Sequence, residues 1–251
     1  MNGRILAALL FASAAVCWAA SASAGNFFRQ MRVDSLMSDG VGLYHQGDYT
    51  NSLAKFDAAI SLSDDNNQAH YDRALDLYAL NRYPEAAAEL RICVHRDPGM
   101  IPAWFNLGVV DIAEQDFGGA KAIFSKIIAA HSTSMRAHFD LGLANYLDGQ
   151  SSEAAKNFAV ATLLHPAYVQ AHYDLALAEY RSGNLVAADK EAGEALKLSD
   201  SYAKAYFLRG AIRLRQGDSG HARDQFRLAE NLATDGVLKS LCNQIIAQIG
   251  S

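Results

Sequence analysis

The sequence predicts an all-α solenoid: six helical hairpins in tandem, closed by a capping helix. Three observations predict it. A 34-residue period runs from Val33 onward without insertion or deletion. Small side chains recur in fixed columns of that period. The composition is rich in Ala and Leu and holds only four prolines in 251 residues, which favours helix.

Residues 1–24 stand apart from the periodic part. They comprise a polar start with Arg4, an apolar run from Ile5 to Ala20, and Ala22-Ser23-Ala24 just before Gly25. The run falls short of the roughly 20 apolar residues that a spanning helix needs. Its A-x-A ending suits cleavage of a secretory signal, so the chain is expected to be exported. Cys17 follows Val16, where a lipoprotein would carry a small residue, and a single Arg is too few for a mitochondrial presequence. No N-x-S/T sequon occurs, which favours a bacterial envelope, and the periplasm within it. Residues 25–32, with Phe27 and Phe28, read as a mobile lead-in or a short turn.

Losing Arg4 with the signal leaves 21 of the 22 basic residues against 27 acidic ones, a net charge of −6. Such a balance argues against nucleic acid as a partner. Cys17 would leave with the signal as well. Cys93 and Cys242 lie more than four repeats apart, beyond the roughly 7 Å Cα separation a disulfide spans, so two buried free thiols are expected.

Blocks of 34 residues begin at Val33, Asn67, Ile101, Met135, Val169 and Ala203. Column eight reads Gly40, Ala74, Gly108, Gly142, Ala176, Gly210, and column twenty reads Ser52, Ala86, Ala120, Ala154, Ala188, Ala222. These are places where helices approach closely. Column twenty-four supplies the knobs beside them: Phe56, Leu90, Phe124, Phe158, Ala192 and Phe226. Between the two helical stretches sits Gly47, Asn81, Gln115, Gly149, Gly183 or Gly217, a column suited to a left-handed helix stop. Asp64, Pro98, Ser132, Pro166, Asp200 or Thr234 closes each block, as an N-cap or first-turn proline of the next helix.

The period with its small and aromatic columns resembles the tetratricopeptide repeat (TPR) family. Repeat three carries the signature most fully, in Trp104, Leu107, Gly108, Phe117, Ala120 and Phe124, and repeat two adds Tyr83, Ala86 and Pro98. The similarity covers residues 33–234 and implies a right-handed superhelix. Repeat one departs from it, with Asp39 and Gly42 in its first helix and Ser52 for Ala, as a solvent-facing terminal repeat would. From 235 to 251, Val237, Leu238, Leu241, Cys242, Ile245, Ile246 and Ile249 share one helical face, as in a C-terminal capping helix.

In TPR proteins the first helix of each unit lines a concave groove, so the resemblance implies which residues face a partner. Column five holds Met37, Tyr71, Phe105, Phe139, Tyr173 and Phe207; column nine includes Leu75 and Leu143; column twelve includes Tyr78, Tyr146 and Tyr180. Column six adds Asp72, Asn106, Asp140 and Asp174. Aromatics beside an acidic and amide edge suit an extended or helical peptide with apolar and basic side chains. The competing account is that these aromatics pack only against their own helices. The clamp with which some relatives grip a C-terminal carboxylate is absent, since Lys204 alone resembles one of its elements.

Repeat one has a net charge of −5 and repeat six a net of +3, which leaves room for weak head-to-tail self-association, although a pair of solvated ends is the better account of the pattern. Gly217-Asp218-Ser219-Gly220 resembles the nucleophile stretch of chymotrypsin-like proteases, yet falls in a turn between helices with no β-barrel to organise a triad. His70, His138 and His172 share column four with Trp104, which points to a packing ring rather than a metal ligand. No enzymatic activity and no cofactor or metal is expected. The function expected is a protein-binding scaffold of the cell envelope, the alternative being a stoichiometric accessory or chaperone subunit of an envelope enzyme or secretion complex.

Overall fold

The computed structural model describes residues 3–250, with side chains described from residue 24 to residue 249. The side chains of the expected signal segment, apart from Ala24, lie outside the described residues. Among those described, no helix is long and apolar enough to cross a membrane.

Thirteen helices follow one another among the described residues. They are α1 (Gly3–His45), α2 (Tyr49–Leu62), α3 (Asn67–Ala79), α4 (Tyr83–Arg96), α5 (Ile101–Ala113), α6 (Phe117–Ala130), α7 (Met135–Leu147), α8 (Ser151–Leu164), α9 (Val169–Ser182), α10 (Leu185–Leu198), α11 (Ala203–Arg215), α12 (Ser219–Leu232) and α13 (Gly236–Gly250). Residues 25–32 belong to α1 and are helical, not a turn, because no proline or stop residue separates them from Val33. Phe27, Phe28 and Met31 on this extension remain 61%, 67% and 53% exposed.

Every turn inside a repeat uses the same device. Gly47, Asn81, Gln115, Gly149, Gly183 and Gly217 all have φ between 59° and 88°. Gln115, at φ 63°, is the one that carries an ordinary side chain there. An L-residue in this region costs about 1–2 kcal/mol, of which glycine's greater freedom in the unfolded chain would return part. Gln115→Gly is therefore expected to stabilise the protein by about 0.5–1 kcal/mol, seen as a higher urea midpoint. A lower midpoint would contradict the account.

The turns between repeats differ from expectation. The capping residues of α3 and α7 are Asn66 and Ser134, whose side chains accept from Ala69 N and Ala137 N, two positions after Asp64 and Ser132. The earlier position serves through its backbone. The carbonyls of Asp64, Pro98, Ser132 and Pro166 accept ring N–H groups from His70, Trp104, His138 and His172, each at 3.0 Å. Histidine and tryptophan are interchangeable at these four positions because both place an N–H at the ring edge. His70 and His172 also direct Nδ1 at Glu89 (2.5 Å) and Glu191 (2.9 Å), which holds each ring between a carbonyl and a carboxylate.

The chain divides into two compact units, residues 1–110 and 111–251, the division falling inside α5. In the first, α1 packs on α2, α2 on α3 and α3 on α4. Val33, Ala59 and Ala69 form a buried cluster there with Leu36, Met37, Ile60 and Leu62 against it. Gly40 lies so close to Phe56 that a Cβ would meet the ring at 2.6 Å, and Ser52 Oγ donates to the Gly40 carbonyl at 2.9 Å. The Ser in place of Ala therefore ties α1 to α2. Lys55 pairs with Asp39 at 3.1 Å on the same hairpin.

The second unit continues the pattern from α7 through α13, each helix packing on the next. Gly142 and Gly210 receive Phe158 and Phe226, with a Cβ placed 2.7 and 2.8 Å from the rings. α13 buries Cys242 completely against this stack, and Arg223 Nη2 donates to the Ile249 carbonyl at 3.0 Å. Val237 and Leu241 stay exposed, so the apolar stripe of α13 is wider than the surface it covers. Both Cys93 and Cys242 are buried free thiols, and burial pushes Cys93 up to about 11.

Candidate partner-binding face

The columns singled out in the sequence behave differently in the two units. In the first unit the surface is open. Tyr78 and Val41 are each 39% exposed, and Leu75 lies half-buried between two pockets. One pocket, about 140 Å³, is lined by Val41, Tyr44, His45, Phe56, Asp72 and Leu75. The other, about 50 Å³, lies among Ala74, Leu75, Tyr78, Leu90, Asn106, Val109 and Val110. Asn106 Nδ2 donates to the Tyr71 hydroxyl at 2.9 Å, which holds both side chains on this wall. Phe105 differs: at 8% exposure it is core, because column five turns toward the helix pair.

Asp72 accepts a hydrogen bond from Gln68 at 2.8 Å, and burial raises its carboxyl above the usual range. One turn further along α3, Asp76 is completely buried, neither carboxylate oxygen having a hydrogen-bond partner. Burial pushes Asp76 up to about 6 against the nearby Ser52 hydroxyl, with the charge of Asp72 adding to the rise.

In the second unit the same columns are largely occupied by the chain itself. Phe139 packs edge-on or tilted against Tyr168 and Phe158, at 5.3 and 5.4 Å between ring centres. Leu143 and Tyr146 lean on the cluster of Ala154, Ala155, Phe158, Leu175 and Ala178. Tyr173 meets Tyr202 edge to face at 5.3 Å. The guanidinium of Arg181 lies 4.4 Å over the Tyr146 ring, and that of Arg215 lies 4.9 Å over Tyr180. Arg215 also donates to the Tyr180 carbonyl at 2.8 Å. A guanidinium over an aromatic face contributes about 0.5–2 kcal/mol.

The column-six carboxylates of this unit have polar neighbours. Gln170 donates to both oxygens of Asp174, at 3.0 and 2.9 Å, while accepting from the Tyr202 hydroxyl at 2.6 Å. Burial pushes Asp174 up to about 6 against the Gln170 hydrogen bond and the lesser pull of Lys204. Asp140, 9% exposed, lies 3.4 Å from Arg136 and is likewise raised by burial. Burial and the neighbouring carboxylate Asp174 bring the Tyr202 phenol up to about 12.

Sequence reasoning missed Arg181, Arg215, Tyr168, Tyr202 and Gln170. The signal was available in part: each arginine stands one column after the tyrosines, one repeat later. At the remaining motif, Asp218 caps α12 by accepting from His221 N at 3.1 Å and from His221 Nδ1 at 2.7 Å. Ser219 simply begins that helix.

A family profile described as tetratricopeptide repeat matches at residues 40–101, 71–110, 105–161, 148–196 and 173–236. The chain belongs to the tetratricopeptide repeat family. Among solved structures it is similar to PilW, a "widely conserved type IV pilus biogenesis factor", with 19% identity and a TM-score of 0.72 over 83% of this chain and 97% of that one. PilF of Pseudomonas aeruginosa follows at 15% identity and a TM-score of 0.68, over 86% of this chain and 98% of that one. A tetratricopeptide repeat protein of Parabacteroides merdae gives 20% identity and 0.64, over 87% and 84%. No curated protein matches by sequence. At these identities the likeness establishes the TPR fold alone.

Proposed function

We propose that this TPR protein is a non-catalytic scaffold of the bacterial cell envelope, which captures an extended or helical segment of a partner protein on the first helices of its repeats. The observation that carries the reading is the open wall of the first unit, where Val41 and Tyr78 are exposed beside two apolar pockets and the desolvated Asp72. Such a wall suits a segment with apolar and basic side chains. The apolar run and A-x-A ending of residues 5–24 support export to the periplasm.

The closeness in fold to PilW supports a second reading, a stoichiometric accessory subunit of an envelope assembly. Fixed-ratio co-purification through high salt would distinguish it from exchangeable capture. Head-to-tail association has fewer charges available than the sequence suggests, since Arg209 and Arg213 both pair with Asp189 at 2.9 and 2.8 Å.

The test uses residues whose loss spares packing. Val41→Ser with Tyr78→Ala is expected to lower partner capture from native envelope extract at least tenfold, while circular dichroism stays at the wild-type level. Capture equal to wild type would end the proposal. Phe139 and Tyr146 are poor choices for this purpose, because both support the core of the second unit.

A further inference from the structure

The internal repeats provide a comparison that reveals what the first unit lacks. Tyr44 and Asp72 lie three periods of 34 residues before Tyr146 and Asp174, so the two pairs hold equivalent places. Around Tyr146 the chain completes the arrangement: Arg181 stacks on the ring at 4.4 Å, and Arg181 and Asp174 both act on its phenol. The position equivalent to Arg181 is Ala79, and the position equivalent to Lys204, which acts on Asp174, is Pro102. In place of the buried Ala178 stands Asp76, completely buried and without a hydrogen-bond partner on either oxygen. Relative to its counterpart, the site around Tyr44 has thus lost two cations and gained an anion. It keeps an opening of about 140 Å³ between Val41, Tyr44, His45, Phe56, Asp72 and Leu75.

We infer that this opening is a receptor for the guanidinium of an arginine side chain supplied by the partner polypeptide, which stacks on Tyr44, as Arg181 stacks on Tyr146 within the chain, and pairs with Asp72. The inference rests on the groove reading and narrows it to one subsite and one side chain. A guanidinium matches both halves of the site, since its flat face lies on an aromatic ring while its edge donates to a carboxylate. A lysine ammonium, compact and strongly hydrated, gains less from the ring. The surplus negative charge of Asp76 beneath Asp72 favours a cation, and full burial of Asp76 with partial burial of Asp72 weakens the compensation that solvent gives them.

The experiment uses the full chain and three labelled, otherwise uncharged hexapeptides that differ only in a central arginine, lysine or citrulline. Fluorescence anisotropy is expected to show the arginine peptide binding at least tenfold more tightly than either of the others. Ala79→Arg, which installs the internal guanidinium of the later repeat, is expected to abolish that preference. Asp72→Asn should do the same without adding bulk, and decides the matter if A79R fails to fold. Equal binding of the three peptides overturns the inference, as does a preference that survives both substitutions. Competition by N-acetyl-argininamide as strong as by the peptide overturns the polypeptide as source. If these fail while Val41 and Tyr78 still control capture, the subsite alone is wrong and the groove stands.

Discussion

Phe158→Ala is expected to destabilise the second unit by about 3–5 kcal/mol, and the cost should depend on the residue at position 142. Phe158 is 1% exposed, and its ring fills the space left by the missing side chain of Gly142. A methyl group there would sit 2.7 Å from the ring, too close for carbon atoms to tolerate. Gly142→Ala alone should therefore cost about 1–3 kcal/mol by overpacking. Repeat two shows the matched alternative, with Ala74 facing the column that holds Leu90, both buried to 1%. Gly142→Ala combined with Phe158→Leu reproduces that pair and should recover about 1–2 kcal/mol relative to the sum of the single changes. Urea denaturation of the wild type, Gly142→Ala, Phe158→Leu and the double variant measures this coupling. Strict additivity would show that the two columns do not share a packing site.

Asp76→Val should raise stability at neutral pH by about 2–3 kcal/mol, an increase unusual for a single substitution. Columns equivalent to Asp76 hold Val110, Ala144, Ala178 and Ile212, all buried and apolar apart from Gly42 in the first repeat. With its carboxyl pushed up to about 6 by burial, folded Asp76 binds more protons than the unfolded chain between the ordinary value of 3.8 and about 6. Its favourable contribution is complete below 3.8 and is lost as pH rises through 6. Thermal denaturation should therefore show the gain from Asp76→Val at pH 7.5 and little gain at pH 3.5. A gain independent of pH would mean that volume, not charge, makes Asp76 costly. The groove reading adds that the stabilised variant should bind the arginine peptide less tightly, since a buried unpaired charge that a partner offsets is stability exchanged for binding.

Much of the architecture was legible in the order of residues. The 34-residue spacing placed the helix stops, because only a left-handed residue ends a helix tightly enough to reverse the chain, and Gly or Asn fills five of the six positions. The small and aromatic columns announced which faces meet, because a Gly opposite a Phe is a volume match that any reader can sum. The turns between repeats were less legible. There a backbone carbonyl receives a ring N–H from six residues ahead, and side-chain identity at the carbonyl position, whether Asp, Pro or Ser, is immaterial to that bond.

By itself, then, the sequence determined the all-helical repeat, its register and the apolar character of the first-helix columns, since these depend on local periodicity and side-chain size. Only the tertiary structure decided which of those columns remain available. Tyr78 and Tyr146 occupy the same column, yet one is exposed and the other lies under Arg181. Phe105 and Phe139 turn inward to pack. Periodicity assigns a residue to a face of its own helix, whereas exposure depends on what the next repeat places over that face, and that neighbour lies a full period away in the chain.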